Sequence, residues 1–273
     1  MPELPEVETV KNGLKKLIGK KLLSFTIYKD GWRKPIPINE IEELKGQEVI
    51  DVYRRAKWPA LVFKKGCLWM HLGMSGQLKL FNNNENIPEL HKHDHIEFLF
   101  SDGEILRFQD ARRFGLVAFT ENAYSEPPSR EKLGFEPFDE KWNAEQFYND
   151  LKGKKKSIKI ILMESQLVVG VGNIYASESL FKAKISPLRE GKDITFNEAK
   201  ILREEIIQIL LKGIEAGGST LKDHRKINGE MGSFQEQHLV YGKEGKKCKI
   251  CSTEIIKIIQ GGRSTFYCPK CQK

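Results

Sequence analysis

The segment CKICSTEIIKIIQGGRSTFYCPKC, residues 248–271, contains four of the five cysteines of this 273-residue chain. Sixteen residues separate its two Cys-x-x-Cys pairs, and Gly261-Gly262 predicts a hairpin turn between them. Two such pairs on the arms of a hairpin can bind one Zn²⁺ ion through four thiolates, which leaves no open position for catalysis. We therefore expect one structural zinc ion. The expected ligands are Cys248, Cys251, Cys268 and Cys271.

Positive charge is concentrated around these cysteines. Residues 241–273 carry eight Lys and Arg against two Asp and Glu, whereas the whole chain has 45 against 37 and a net charge of +8. A hairpin stiffened by zinc that presents Lys257 and Arg263 is suited to contacting phosphates. The alternative is a ribbon whose charged residues are simply solvated. The fifth cysteine, Cys67, lies in an apolar strand pattern and is expected to be a buried core residue.

The composition excludes several classes of protein. With 40% hydrophobic residues the chain can form a packed core, so it is not wholly disordered. It has no run of about eighteen apolar residues, and its start, MPELPEVETV, is acidic rather than basic and then apolar. We therefore expect a cytoplasmic protein of two domains, without a membrane span or a signal peptide.

The residues before the hairpin show helical patterns. A capping box at Thr195 and Glu198 begins a helix that ends at Gly217-Gly218. The motif VVGVGNIYASE, residues 168–178, lacks the spacing of a nucleotide-binding loop and predicts a tight turn between helices, with Asn173 facing a phosphodiester. The lysine run around Lys154 could add phosphate contacts or form a solvated helix end.

Residues 22–120 show a different pattern, of short β-rich runs, which predicts a sandwich or barrel behind one helix over residues 5–17. Residues 121–140 are polar, contain three of the eleven prolines and resemble a linker. The expected strands cover residues 22–28, 49–54, 61–64, 68–74, 95–100 and 104–108.

Two further motifs carry chemistry. Removal of Met1 would leave Pro2 as a terminal secondary amine, which can attack a sugar C1′ with Glu3 as its acid/base partner; a capped helix start is the plainer interpretation. The loops HLGMSG and DARRFG offer Met74, Arg112 and Phe114, which suit insertion into a DNA duplex. The alternative is that Met74 and Phe114 are core residues and that Arg112 is an ordinary surface residue.

Together these motifs resemble bacterial formamidopyrimidine-DNA glycosylase from residue 1 to the last few residues. Three more motifs add to the resemblance: Arg54-Arg55-Ala56-Lys57, Lys92-His93-Asp94-His95 and GGRSTFYCPKCQ. The resemblance implies a base-excision repair enzyme that flips 8-oxoguanine or formamidopyrimidine out of duplex DNA. Pro2 would form a Schiff base, assisted by Glu3, and β,δ-elimination would follow. Lys57 would act in excision and elimination, and Arg263 would bind the phosphates.

The resemblance also implies the DNA contacts. Met74, Arg112 and Phe114 would fill the space left by the flipped base, with Arg112 facing the orphaned cytosine. The loop over residues 217–232 would close over the damaged base. The residues expected at or near the DNA backbone are His71, His93, Lys154, Asn173, Tyr241 and Lys257.

The expected fold class is α+β. An N-terminal helix and β-sandwich form residues 1–121, a linker covers 122–140, a helix-two-turn-helix domain covers 141–240, and the zinc-binding β-hairpin covers 241–273. The expected partner is double-stranded DNA with an oxidised purine or an abasic site, bound by a monomer away from membranes.

Two positions depart from the family pattern. Pro59 removes a backbone donor, so we expect its strand to start later or to lie at a sheet edge. Ala111 stands where proline is common, so we expect a looser loop before Arg112.

Two other functions remain open at this point. The sister group that removes oxidised pyrimidines, the endonuclease VIII-like enzymes, also uses Pro2, Glu3 and a zinc finger, but Leu4 and the Arg112/Phe114 pair favour the purine enzyme. A zinc-ribbon DNA-binding protein without catalysis is the alternative from another class.

Overall fold

The computed structural model describes residues 1–29, 31–82, 87–219, 227 and 231–273. The expected lid over residues 217–232 therefore lies mostly outside the described residues. The chain divides into two compact units. The first contains residues 1–130 and 216–233, and the second contains residues 131–215 and 234–273.

The first unit begins with helix α1, Leu4–Leu14, and its register follows the apolar spacing of the sequence. Val7, Val10 and Leu14 are buried on one side, and a proline occupies the first turn, where its missing N–H is not needed. The residues Lys15–Leu17 form a 3-10 turn rather than the end of a longer α-helix. The predicted helix over residues 5–17 is thus confirmed, with a tighter last turn.

Two four-stranded antiparallel sheets follow and form a sandwich. The first sheet has the order β1-β6-β7-β5, and the second has the order β2-β3-β4-β8. Apolar side chains of both sheets and of α1 share one core. The strands are β1 Leu22–Ile27, β2 Asp51–Arg55, β3 Trp58–Phe63, β4 Gly66–His71, β5 Gly76–Phe81, β6 Asp94–Phe100, β7 Ile105–Asp110 and β8 Leu116–Thr120.

Strand β3 is buried on both faces because the second sheet also has a covered outer face. Trp58, Cys67 and Trp69 pack there, against partly buried Tyr53 and Leu116. Cys67 is fully buried, and burial raises the pKa of its thiol. Its predicted core role is confirmed.

The expectation for Pro59 is wrong. Strand β3 starts at Trp58, before the proline, and lies between β2 and β4 rather than at an edge. Pro59 is paired with Arg54 of β2, but pairing of β3 with β4 begins only at Ala60, so Pro59 has no partner in β4. A proline at the start of a strand is tolerated for this reason.

Among the described residues of the first unit, two strands and one helix were not predicted: strands β5 and β8 and helix α2, Ile38–Leu44. Strand β5 alternates buried Leu78 and Leu80 with partly exposed residues, as a strand with one solvated face should. Helix α2 buries only Ile41 and Leu44, which is too few positions for a helical period to be recognised.

A single described residue within the 220–230 stretch joins the core of the first unit. Ile227 is 6% exposed, its carbonyl accepts a hydrogen bond from Leu80 N–H at 3.2 Å, and its side chain lies directly over Gly13 of α1. A Cβ atom at residue 13 would lie 2.1 Å from Ile227 Cγ2. Glycine in the last turn of α1 is therefore explained by this close approach.

The second unit is helical and ends in a β-hairpin. The predicted capping box is present: Thr195 N–H donates to Glu198 Oε2 at 2.9 Å, and Glu198 N–H donates to Thr195 Oγ1 at 3.3 Å. The helix it begins buries Leu202, Ile206, Ile209 and Leu210, as the spacing predicts. The elements are α3 Ala144–Leu151, α4 Ile158–Met163, α5 Asn173–Lys182, α6 Phe196–Glu215, β9 Ile256–Gln260 and β10 Arg263–Tyr267.

Among the described residues, no helix is both long enough and apolar enough to cross a membrane.

Candidate active site and nucleic-acid interface

The start of α1 holds the candidate nucleophile and its acid/base partner in a buried setting. Pro2 and Glu3 are buried, whereas Met1 is 47% exposed. Glu3 is the N-cap of α1 and forms a capping box with Glu6, whose Oε2 accepts a hydrogen bond from Glu3 N–H at 2.8 Å. The backbone next to Pro2 is thus fixed by the helix that follows it.

The other carboxylate oxygen of Glu6 reaches a distant part of the chain. Glu6 Oε1 accepts a hydrogen bond from Ser219 N–H at 2.7 Å, and both partners are buried. Sequence reasoning missed Glu6, although a glutamate three residues after the N-cap is the signal of a capping box.

The turn between β2 and β3 carries Lys57, which is buried at 8% exposure. Arg54 holds this turn: its Nε donates to Glu8 Oε2 of α1 at 2.6 Å, and its Nη1 donates to the carbonyl of Ala56 at 2.9 Å. Burial raises the pKa of Glu8, but its hydrogen bonds and ion pairs with Lys11 and Arg54 outweigh this effect and lower it. A charged link therefore joins α1 to the Lys57 turn.

His71, at the end of β4, is held as a neutral ring. Burial first, and then the charges of Lys57 and Arg33, lower its pKa to about 4. Gly73 N–H donates to His71 Nδ1 at 3.1 Å, so the proton of the neutral ring is on Nε2. The ring packs on Trp58 with 4.7 Å between centroids. His71 can therefore offer one N–H donor, rather than a charge, to a phosphate.

The loops that carry Met74, Arg112 and Phe114 are fastened to one buried carboxylate. Asp110 accepts hydrogen bonds from Ser75 Oγ, from Arg112 N–H at 3.2 Å and from Gly115 N–H at 2.7 Å. The loop before Arg112 is thus pinned at Asp110, and the looser loop expected from Ala111 stays a prediction. Asp110 was missed because nothing in its sequence position shows that three donors converge on it.

The side chains on these pinned loops point to solvent. Met74 is 43% exposed and Phe114 is 42% exposed, so neither is the core residue of the plainer interpretation. The Arg112 guanidinium lies over the Phe114 ring, 5.3 Å from its centroid. Large apolar groups and a cation held outside the core are suited to entering a base stack.

His93 belongs to the same edge of the first unit as the Asp110 loop. Its carbonyl accepts a hydrogen bond from Asp110 N–H at 2.9 Å, and its ring lies 5.1 Å from the ring of His91. The partly exposed His93 side chain is therefore available at the surface beside the loop of Arg112 and Phe114.

In the second unit, the four predicted cysteines converge. Their sulfur atoms all lie within 4.8 Å of one another, with Cys248 Sγ 3.9 Å from Cys271 Sγ and Cys251 Sγ 3.4 Å from Cys268 Sγ. A tetrahedral site with Zn–S bonds of about 2.3 Å has sulfur–sulfur edges of about 3.8 Å. The donor set fits one structural Zn²⁺ ion, as predicted.

A buried lysine fastens the hairpin to the helices of the second unit. Lys159 is 0% exposed, and its Nζ donates to Asn173 Oδ1 at 2.5 Å and to Thr265 Oγ1 at 2.7 Å. Asn173 Nδ2 donates to the carbonyl of Ser264 at 2.9 Å. The Asn173 side chain is therefore occupied by contacts within the second unit.

Tyr241 is positioned by Glu178, which is the last residue of the motif VVGVGNIYASE. The buried carboxylate accepts backbone hydrogen bonds from Leu239, Val240 and Tyr241 at 2.8–3.0 Å. Burial raises the pKa of Glu178 despite these hydrogen bonds. The Tyr241 ring packs on Phe266 of the hairpin, 5.1 Å between centroids.

The three predicted cations of this unit are exposed. Lys154 lies in the turn before α4, and Arg263 is the first residue of β10. Lys257 Nζ lies 3.1 Å from Glu244 Oε2.

Models of protein families match most of the chain. Residues 1–117 match the formamidopyrimidine-DNA glycosylase N-terminal domain, residues 133–225 match the formamidopyrimidine-DNA glycosylase H2TH domain, and residues 245–273 match the zinc finger found in FPG and IleRS.

Individual proteins match over the full length. The chain is 42% identical to the formamidopyrimidine-DNA glycosylase of Methylobacillus flagellatus over 273 residues, with 100% of this chain and 97% of the relative covered. It is also 42% identical to the Escherichia coli protein of the same name over 274 residues, with 100% of both covered.

Solved structures agree. A complex of a Lactococcus lactis FPG mutant with a Fapy-dG containing DNA has a TM-score of 0.87 and 34% identity, and MutM in complex with carbocyclic 8-oxo-G containing DNA has 0.86 and 35%; each covers 100% of both chains. Because relatives at this identity align along the whole sequence, the chain belongs to the formamidopyrimidine-DNA glycosylase family, whose members are base-excision repair glycosylases with abasic-site lyase activity.

Proposed function

We propose that this protein excises oxidised purines, 8-oxoguanine and formamidopyrimidines, from duplex DNA and then cleaves the strand. The observation that carries the proposal is the buried start of α1, where Pro2 follows the exposed Met1 and precedes a Glu3/Glu6 capping box.

Loss of Met1 turns the Pro2 nitrogen from a tertiary amide into a secondary amine. Such a terminal amine titrates at about 7.7–8.0, so a useful fraction is unprotonated at neutral pH. The amine attacks C1′ of the flipped nucleotide, the bond from C1′ to the base breaks, and the base leaves with a proton. Glu3 assists base loss and the opening of the sugar ring, which yields a cationic Schiff base on Pro2.

Two eliminations complete the reaction. Removal of a proton from C2′ expels the phosphate on the 3′ side, removal of a second proton from the sugar expels the phosphate on the 5′ side, and water then hydrolyses the Schiff base and frees Pro2. We assign Lys57 to base excision and elimination, in accord with its buried place at the β2–β3 turn. We assign Arg263 to binding the phosphates next to the flipped nucleotide, in accord with its exposed place at the hairpin tip.

The exposed side chains of the Asp110-pinned loops keep the duplex open. Met74 and Phe114 enter the space left by the flipped base, and Arg112 hydrogen-bonds the orphaned cytosine. The DNA backbone is contacted by His71, His93, Lys154, Asn173, Tyr241 and Lys257.

The protein acts as a monomer on double-stranded DNA with an oxidised purine or an abasic site, in the cytoplasm where the nucleoid lies. Oxidised pyrimidines are a second candidate substrate class, because a structure of wild-type Lactococcus lactis FPG with an oxidised pyrimidine containing DNA matches this chain with a TM-score of 0.86. Comparing single-turnover excision of 8-oxoguanine and of an oxidised pyrimidine separates the two classes: faster pyrimidine release would overturn the purine assignment.

Borohydride trapping tests the chemistry. With an 8-oxoguanine:cytosine duplex, we expect a covalent protein–DNA adduct only from molecules that have lost Met1, as measured by mass spectrometry. Pro2→Gly should lower adduct yield, and Pro5→Ala, which changes a proline of α1 but keeps the terminal amine, should not. No adduct would refute the proposal and favour a DNA-binding protein without catalysis, and an adduct unaffected by Pro2→Gly would refute Pro2 as the nucleophile.

A further inference from the structure

The tip of the zinc hairpin places Gln260 directly opposite Arg263. The two residues are the last cross-strand pair before the Gly261-Gly262 turn, and both glycines have positive φ, of 53° and 73°. Residues opposite each other in an antiparallel pair project from the same face of the ribbon, with Cβ atoms about 5 Å apart. Gln260 is half-buried, whereas Arg263 is exposed.

The Gln260 amide is anchored in one orientation. Its Nε2 donates to Ser157 Oγ at 3.2 Å and to the carbonyl of Pro187 at 3.1 Å. A carbonyl can only accept, so the nitrogen must face Pro187 and the oxygen must face away. In the part of the chain that the structure describes, Gln260 Oε1 is buried and has no hydrogen-bond partner.

The surrounding contacts hold the tip in place. A Cβ on Gly261 would lie 2.8 Å from Ile160 Cδ1, so the turn packs tightly on α4. Thr265, on the same face of the ribbon as Gln260, accepts a hydrogen bond from the buried Lys159. The hairpin face that carries Arg263 is thus fastened at two polar positions, and one acceptor beside Arg263 remains unfilled.

We propose that Gln260 is a positioning residue for Arg263: its buried Oε1 accepts a hydrogen bond from the guanidinium and directs it toward the phosphates. A buried acceptor without a partner is costly, and a hydrogen bond from a cation is roughly twice as strong as one between neutral groups. The inference rests on the phosphate-binding role proposed for Arg263, and it adds a residue that reaches the DNA only through that arginine.

A double-mutant cycle with zinc-loaded, Met1-free protein tests the inference. Gln260→Met keeps the length of the side chain but removes both the donor and the acceptor. We expect single-turnover cleavage of an 8-oxoguanine duplex to slow by about tenfold, the effect of losing one hydrogen bond to a charged group. In the Arg263→Ala background the same substitution should have no further effect. Ile259→Met, at a 66% exposed position on the other face of β9, should leave the rate unchanged.

The outcomes separate the possible failures. An unchanged rate in Gln260→Met, with Arg263→Ala clearly slowed, overturns the inference and leaves the role of Arg263 standing. Equal slowing by Gln260→Met in both backgrounds, or loss of zinc from Gln260→Met, shows that Gln260 merely supports the hairpin and also overturns it. An unchanged rate in Arg263→Ala refutes the proposed role of Arg263 itself.

Discussion

The contact between Gly13 and Ile227 makes the effect of one methyl group predictable in sign. Replacing glycine by alanine inside a helix normally stabilises a protein by up to ~1 kcal/mol. Here the new Cβ would lie 2.1 Å from Ile227 Cγ2 and 3.0 Å from Ile227 Cβ, so Ile227 must move. Overpacking of this kind costs ~1–3 kcal/mol. We therefore expect Gly13→Ala to lower the free energy of unfolding by about 1–2 kcal/mol.

The Ile227→Ala background weakens the expected effect. Truncating Ile227 to alanine removes Cγ2 but keeps Cβ, which lies 3.0 Å from the new methyl group, so Gly13→Ala should then cost less by about 1 kcal/mol or more. Urea unfolding of the four proteins, followed by circular dichroism, measures this difference. For the first unit, a loss of ~1–2 kcal/mol corresponds to a fall in Tm of a few degrees. Stabilisation by Gly13→Ala with Ile227 present would refute the contact.

Two further predictions concern the second unit. Cys268→Ser should abolish zinc binding and weaken DNA binding by at least about tenfold. Near-UV dichroism of the sandwich aromatics should stay unchanged, because every zinc ligand is in the other unit. Undiminished DNA affinity, measured by fluorescence anisotropy, would exclude the hairpin from the binding surface. Burial first, and Lys243 second, lower the pKa of His238 to about 4, so the unfolded chain binds its proton first and stability is lost as pH falls from about 6.5 to about 4. His238→Leu should remove up to ~3 kcal/mol of this acid-induced loss of stability, while the contribution of His71, whose pKa is also lowered, should remain. If the free energy of unfolding in urea kept the same dependence on pH in His238→Leu, the prediction would be contradicted.

Features encoded by neighbouring residues were predictable from the sequence. The cysteine spacing predicted the four-sulfur cluster, and the Thr195/Glu198 capping box marked the start of α6. In both cases the partners lie within one turn or one hairpin of each other, so the local pattern contains the whole interaction.

Features that depend on distant partners were not predictable. Glu6 meets Ser219, Lys159 meets Thr265, and Ile227 lies over Gly13, all across more than 100 residues. A buried charge such as Lys159 looks like a surface residue in a sequence, because only the folded chain supplies its acceptors. Pro59 was misjudged for a related reason: the sequence shows the missing donor but not which side of the strand lacks a neighbour.

The hydrogen bond from Leu80 to Ile227 has a consequence for solubility. Strand β5 is an edge strand of its sheet, and unpaired N–H groups along such an edge can recruit a strand from another molecule. The Ile227 carbonyl occupies one of these donors, and Arg107 lies over the ring of Phe81 at the end of the same strand. Ile227 therefore shields part of an edge that could otherwise pair with another molecule.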